Sequence, residues 1–144
     1  FDAHAPRFLV GDMGRIRQIV TNLVGNAIKF TEEGSVTIRV GAVLDGPNAK
    51  VTIDVIDTGV GISEDALGAV FSAFEQAENV TAQRLQEGTG LGLSISRQLA
   101  SMMGGAVSAT STLGVGSVFS LTLDLRIDNE RVASLPLLGK RIRV

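Results

Sequence analysis

The chain has 144 residues, 44% of them hydrophobic, a formal net charge of -2 and no cysteine. That length and apolar content provide for one sizeable core and one domain, and the near-neutral balance gives no general attraction to nucleic acid or to an anionic membrane. The missing cysteines exclude disulfides, thiolate chemistry and cysteine-held zinc, and no apolar run approaches the ~20 residues needed to span a bilayer.

The N-terminus lacks a basic-then-apolar leader and begins at Phe1 rather than methionine, so a fragment of a longer protein is expected. Asp12 to Phe30 is predicted to be the first helix. Ile16, Ile19, Val20, Leu23, Val24, Ala27 and Ile28 recur at helical spacing as one apolar stripe. After Gly34, alternating Val36, Ile38 and Val40 predict a strand, "DGPN" (45–48) a turn, and "KVTIDVID" (50–57) a second strand, together an antiparallel hairpin. Ser63-Glu64-Asp65 reads as the start of a short helix, with carboxylates near its N-terminal dipole. Residues 72–87 are polar without a sustained period, which predicts a long mobile loop. Leu91 to Met103 forms a second amphipathic helix closed by Gly104-Gly105, followed by strands over Ala106–Thr112 and Ser117–Leu125 around "LGVG". This order predicts an antiparallel or mixed sheet with helices on one face.

Three features carry chemistry. On the first helix Asn22, Asn26 and Lys29, with Arg15, fall on one stripe opposite the apolar one. Such a stripe is either a solvated face or a holder of hydrated magnesium and phosphate; asparagine is a poor helix former, and magnesium takes oxygen ligands while keeping several waters. "DTGVGI" (57–62) places Asp57 where the chain leaves a strand. It is either a common Asp-Thr-Gly turn or a floor whose carboxylate accepts from an exocyclic amine such as adenine presents, with Gly59 and Gly61 allowing close approach. "GTGLGL" (88–93) opens a helix and offers backbone N–H groups as an anion site.

Together and in this order, these motifs resemble the catalytic, ATP-binding domain of sensor histidine kinases, a branch of the Bergerat-fold superfamily that also includes gyrase, mismatch-repair and chaperone ATPases. "DMGRIRQIVTNLVGNAIKFT" (12–31) resembles the N box, "DTGVGI" the first glycine box, "FSAFEQAE" (71–78) the F box, and "GTGLGLSIS" (88–96) the second glycine box; "STLGVGSVFSLTL" (111–123) is similar to the segment that closes the fold. The resemblance covers about residues 8–125. It implies an α/β (α+β) two-layer sandwich with a mixed, mainly antiparallel sheet, helices on one face, and ATP between helices and a flexible lid at about 72–90.

Residue by residue, the resemblance implies that Asn26 ligates magnesium, with Asn22 beside it near the phosphates. Lys29 contacts phosphate and Phe30 packs near adenine. Asp57 accepts from the adenine amine, and Gly59, Gly61 and Ile62 shape that pocket. Gly88, Gly90 and Gly92 line the phosphates with Thr89 among them, Leu91 and Leu93 pack the base side, and Arg84 stands where lid arginines reach the γ-phosphate. Glu87 departs from the usual glycine at the head of the second box. The hydrolytic relatives carry a glutamate general base where Asn22 stands, so the resemblance implies transfer of the γ-phosphate to a histidine rather than hydrolysis. His4 lacks the context of an acceptor, so the expected partner is the protein's own dimerisation and histidine phosphotransfer domain. The domain is expected to span 1–125, with a linker over 126–136. "LLGKRIRV" (137–144) reads as the opening of a receiver domain or as a plain C-terminal strand. A cytoplasmic setting, in a parent that is membrane-anchored or free, is expected. A catalytically silent ATP-binding scaffold and a hydrolytic ATPase are the competing readings.

Overall fold

The computed structural model describes residues 6, 8–71 and 92–129. In chain order these form β1 (Leu9–Val10), α1 (Met13–Lys29), β2 (Val36–Asp45), β3 (Asn48–Asp57), a short α2 (Glu64–Leu67), α3 (Gly92–Met102), β4 (Ala106–Thr112) and β5 (Gly116–Ile127). The predicted helices and strands over residues 12–71 and 92–125 are present, β2, β3 and β5 longer than expected and β4 as expected, and β1 is added to them; the loop expected over 72–87 lies outside the described residues.

Helix α1 starts and stops on its own chemistry. The Asp12 side chain accepts from Arg15 N–H at 3.1 Å as N-cap, and Phe30 N–H returns to Asn26 O at 3.0 Å at the other end. Ile19, Leu23 and Ala27 are buried on it, whereas Ile28, expected in the same stripe, is 62% exposed. At 3.6 residues per turn Ile28 lies about 120° around the helix from Ile16, at the rim of the apolar face. Arg15 keeps the angle of the asparagine stripe, with its guanidinium paired to Asp12 at 3.2 Å.

β5 is the spine of the sheet. It pairs with β3 along one edge and with β4 and then β1 along the other, and β2 closes the far side against β3. Every pairing among the described residues is antiparallel, which settles the expectation of a mixed or antiparallel sheet. A sheet of this kind needs only one covered face. Val55, Phe119, Leu121, Leu123 and Val107 supply the inner face, packed against Ile19, Leu23 and Ala27 of α1 and Ala100 of α3. The result is the expected two-layer α+β sandwich. β5 runs to Ile127, two residues past the expected domain edge at 125.

Leu23 has no exposure and sits between the helix layer and the sheet. Leu23→Ala is expected to cost about 3 kcal/mol of stability, read as a lower urea midpoint with unchanged slope.

Candidate functional site

The site is built where α1 ends and β3 leaves the sheet. Val60 N–H donates to Phe30 O at 3.2 Å, so the loop after β3 is fastened to the C-terminus of α1. A Cβ at Gly59 would collide with that same Phe30 carbonyl oxygen, so the approach requires glycine. Gly61 has φ +69° and lies against the Thr112 carbonyl at the end of β4, where a Cβ would again collide. Gly114 N–H donates to Val60 O at 2.7 Å and closes the loop onto the β4–β5 turn. The first glycine box is thus clamped on both sides.

Asp57 is buried at the centre of this clamp, 6% exposed. Its Oδ1 accepts from Gly59 N–H at 2.9 Å and from Ser117 N–H at 3.2 Å. One oxygen therefore fixes the rotamer, and among the described residues no hydrogen bond engages Oδ2. Ile62 is half-buried against the core, and its N–H donates to Ser111 Oγ at 2.8 Å. Thr31 Oγ1 is the one buried side-chain polar atom without a partner among the described residues, close to where a Cβ on Gly59 would stand.

The asparagines divide. Asn22 and Asn26 are both half-buried, on the flank of α1 rather than on a solvated face. Asn22 Nδ2 donates to Ser96 Oγ at 2.9 Å, and its Oδ1 packs on Gly92 so closely that a Cβ there would strike it. The last glycine of the second box is thereby seated on α1. The Asn26 amide makes no hydrogen bond to the described residues and stays available. Lys29 is exposed, its Nζ 5.4 Å from the centroid of the half-buried Phe30 ring, a cation–π contact at the helix end. Leu93 packs against the core. The structure so brings together Asn22, Asn26, Lys29, Phe30, Asp57, Gly59, Gly61, Ile62, Gly92 and Leu93. Arg84, Gly88, Thr89, Gly90, Leu91 and Glu87 lie outside the described residues.

A separate groove of about 480 Å³ runs between the N-terminal half of α1 and α3, lined by Gln18, Thr21, Asn22, Ile95 and Ser96 among others. It shares Asn22 with the site and excludes Asp57. Sequence reasoning missed Ser96, Ser111 and Ser117. Ser96 stands one turn after Gly92, and Ser111 and Ser117 bracket the "TLGVG" turn symmetrically; a small polar residue within a few positions of a glycine is a pattern that also fits an exposed helix or turn.

Residues 11–127 match the family described as histidine kinase-, DNA gyrase B-, and HSP90-like ATPase. The chain is 46% identical over 145 residues to the sensor histidine kinase GacS of Pseudomonas protegens, covering 96% of this chain and 16% of that protein. It is 40% identical over 118 residues to the aerobic respiration control sensor protein ArcB of Escherichia coli, covering 82% of this chain and 15% of ArcB. The chain thus spans about a sixth of the length of these relatives. Among solved structures, that of full-length ShkA in complex with AMPPNP superposes with a TM-score of 0.67 at 36% identity, covering 85% of this chain and 24% of ShkA. The mycobacterial sensor histidine kinase MprB superposes at 0.62 and 27% identity, covering 83% of this chain and 76% of that one.

Gly61→Ala is expected to lower stability by about 2 kcal/mol or more, since both φ and the Thr112 carbonyl oppose a side chain. Gly41→Ala, with open space at Cβ, should instead be neutral or stabilising by up to about 1 kcal/mol. Paired thermal melts of the two variants check this.

Proposed function

The chain belongs to the family of histidine kinase-, DNA gyrase B- and HSP90-like ATPases, as an ATP-binding domain of the histidine kinase kind, and we propose that it passes the γ-phosphate of Mg-ATP to a histidine on a separate domain of its parent. The observation that carries this reading is the open oxygen of Asp57 in a loop fastened by the Phe30–Val60 backbone bond to the end of α1, the helix that carries the unengaged Asn26 amide.

The residues present fit a nucleotide. Asp57 Oδ2 is a fixed acceptor suited to a purine amine, and Gly59 and Gly61 keep the wall free of side chains. Thr31 Oγ1 is left for a water or ligand donor; an unpaired buried hydroxyl otherwise costs about 1–3 kcal/mol. The fit to magnesium is of the kind in which metal arrives with phosphate. Among the described residues no group of three His, Cys, Asp or Glu could hold a metal alone, whereas the Asn26 amide oxygen is a hard ligand that leaves other positions to water and phosphate. When bound, Mg-ATP supplies the transferable phosphoryl group and the charge neutralisation at its oxygens.

The chain's own groups do the rest. Asp57 orients the base, with Ile62 and Phe30 closing on it. Lys29, at the C-terminal end of α1, has reach to a phosphate and exchanges its contact with the Phe30 ring for one with the anion. Asn22, held by Ser96, sets Gly92 and the following α3 N–H groups against α1, where they face negative charge; Gly88, Thr89, Gly90 and Arg84 complete that side, and Leu91 joins Leu93 on the base side. Asn22 is a neutral amide and takes no proton from water, so no general base on α1 promotes hydrolysis. The phosphoryl group therefore waits for an incoming imidazole, which needs little activation as a nucleophile. Residues 1–127 form this catalytic domain, the chain from there to 136 a linker, and 137–144 the opening of a receiver domain. The partners are the parent's dimerisation and phosphoacceptor domain and that receiver or a response regulator, in the cytoplasm where ATP is supplied. A catalytically silent ATP-binding scaffold would retain Asp57 without needing Asn26 free.

Adding the chain to a purified histidine-bearing domain of its parent with γ-labelled ATP should transfer label to histidine, with slow phosphate release by the chain alone. Tight ATP binding without transfer would contradict kinase action, and brisk release would place the chain with the hydrolases. Asp57→Ala should weaken ATP about 10- to 100-fold, the worth of a hydrogen bond to a charged acceptor. Asn26→Ala should retain adenosine binding and lose magnesium-dependent transfer; titration calorimetry and the transfer assay separate these effects.

A further inference from the structure

Ser111, the penultimate residue of β4, lies outside both glycine boxes, yet its hydroxyl ties together three segments around Asp57. Its Oγ accepts from Ile62 N–H at 2.8 Å, donates to Gly116 O at 2.9 Å and lies 3.0 Å from Ser117 Oγ. A hydroxyl owns one proton. With that proton on Gly116 O, the bond between the two serines is donated by Ser117.

The polarity matters because of where Ser117 stands. It is the β5 partner of Asp57 in register, so the two side chains leave the sheet on the same face. Both are buried, each 6% exposed, and Ser117 N–H already holds Asp57 Oδ1. With the Ser117 proton turned to Ser111, this face offers lone pairs only, from Asp57 Oδ2 and Ser117 Oγ. An acceptor-only wall matches a purine with an amino group at C6. It opposes a purine with a carbonyl there, since lone pairs would face lone pairs and a buried acceptor would go unpaired.

We propose that Ser111 is a positioning residue that sets base selectivity, by locking the first glycine box to the β4–β5 turn and by holding Ser117 as an acceptor. It rests on the reading of Asp57 as the base-binding carboxylate. Without the Ser111 hydroxyl, Ile62 N–H and Gly116 O lose their partner, and Ser117 is free to turn its proton toward the base. A serine that only stabilised the turn would, when removed, weaken all purine nucleotides alike. A serine that sets polarity changes the ratio between them.

The test is calorimetric titration of ATP and ITP, which differ in the C6 substituent and in the proton that ITP carries at N1, into the 144-residue chain and its variants. Ser111→Ala is expected to narrow the ATP-to-ITP affinity ratio about tenfold, and Ser111→Thr, which keeps the hydroxyl, to restore it. Ser111→Cys, near in volume but a weak donor and acceptor, should narrow it in the same direction and serves should the alanine variant not fold. Asp57→Asn replaces the open oxygen with an amide donor and should swing preference toward ITP. A ratio unchanged by Ser111→Ala or Ser111→Cys while Asp57→Asn shifts it overturns the role of Ser111, as does a threonine variant that stays at the alanine value. A ratio insensitive to Asp57→Asn removes the reading of Asp57 beneath it, and the inference falls with it.

Discussion

One carboxylate oxygen holds the site together. Asp57 Oδ1 accepts from Gly59 N–H in the loop it begins and from Ser117 N–H in the neighbouring strand. Burying a carboxylate is unfavourable unless its charge is met by donors, and two backbone amides meet it at one oxygen while fixing the other in direction. The rest follows from that constraint. The loop must turn back against α1, which puts Gly59 under Phe30 O, and must meet the β4–β5 turn, which puts Gly61 under Thr112 O. Neither approach tolerates a Cβ, so the glycines are consequences of where the carboxylate is held.

The opposite wall depends on α1 through a second division of labour. Asn22 is spent on α3, its amide taken by Ser96 and packed on Gly92, which brings the end of the second glycine box within reach of the helix. Asn26, one turn on, is left with an unengaged amide on the same flank. An asparagine engaged within the fold and one left open thus lie one turn apart, and the helix presents no acid between them. That absence of a proton acceptor on the flank separates phosphoryl transfer from hydrolysis in the account proposed here.

Much of this was legible in the sequence because period and punctuation agree. The 3.6-residue stripe of α1, the alternating hairpin strands and the Gly104-Gly105 stop each carry a local cause, and the Asn-Asn-Lys spacing with two glycine boxes indicated the proposed site. What failed to show were angular and long-range facts. Ile28 satisfies the i, i+4 rule and still lies at the rim of the apolar face. Arg15 shares the asparagine angle but finds Asp12 within its own first turn. Ser96, Ser111 and Ser117 act through partners 74, 49 and 60 residues away, and no local pattern distinguishes such a serine from one in an exposed turn. β1, two residues long, owes its strand state to β5 alone.

The most direct test is a crystal structure of the chain with magnesium and a non-hydrolysable ATP analogue. The 6-amino group is expected within hydrogen-bond distance of Asp57 Oδ2, with Oδ1 still held by Gly59 and Ser117, and the magnesium and phosphates beside Asn26. A base seated instead in the groove between Gln18 and Ile95, with Asp57 Oδ2 unengaged, would contradict this reading.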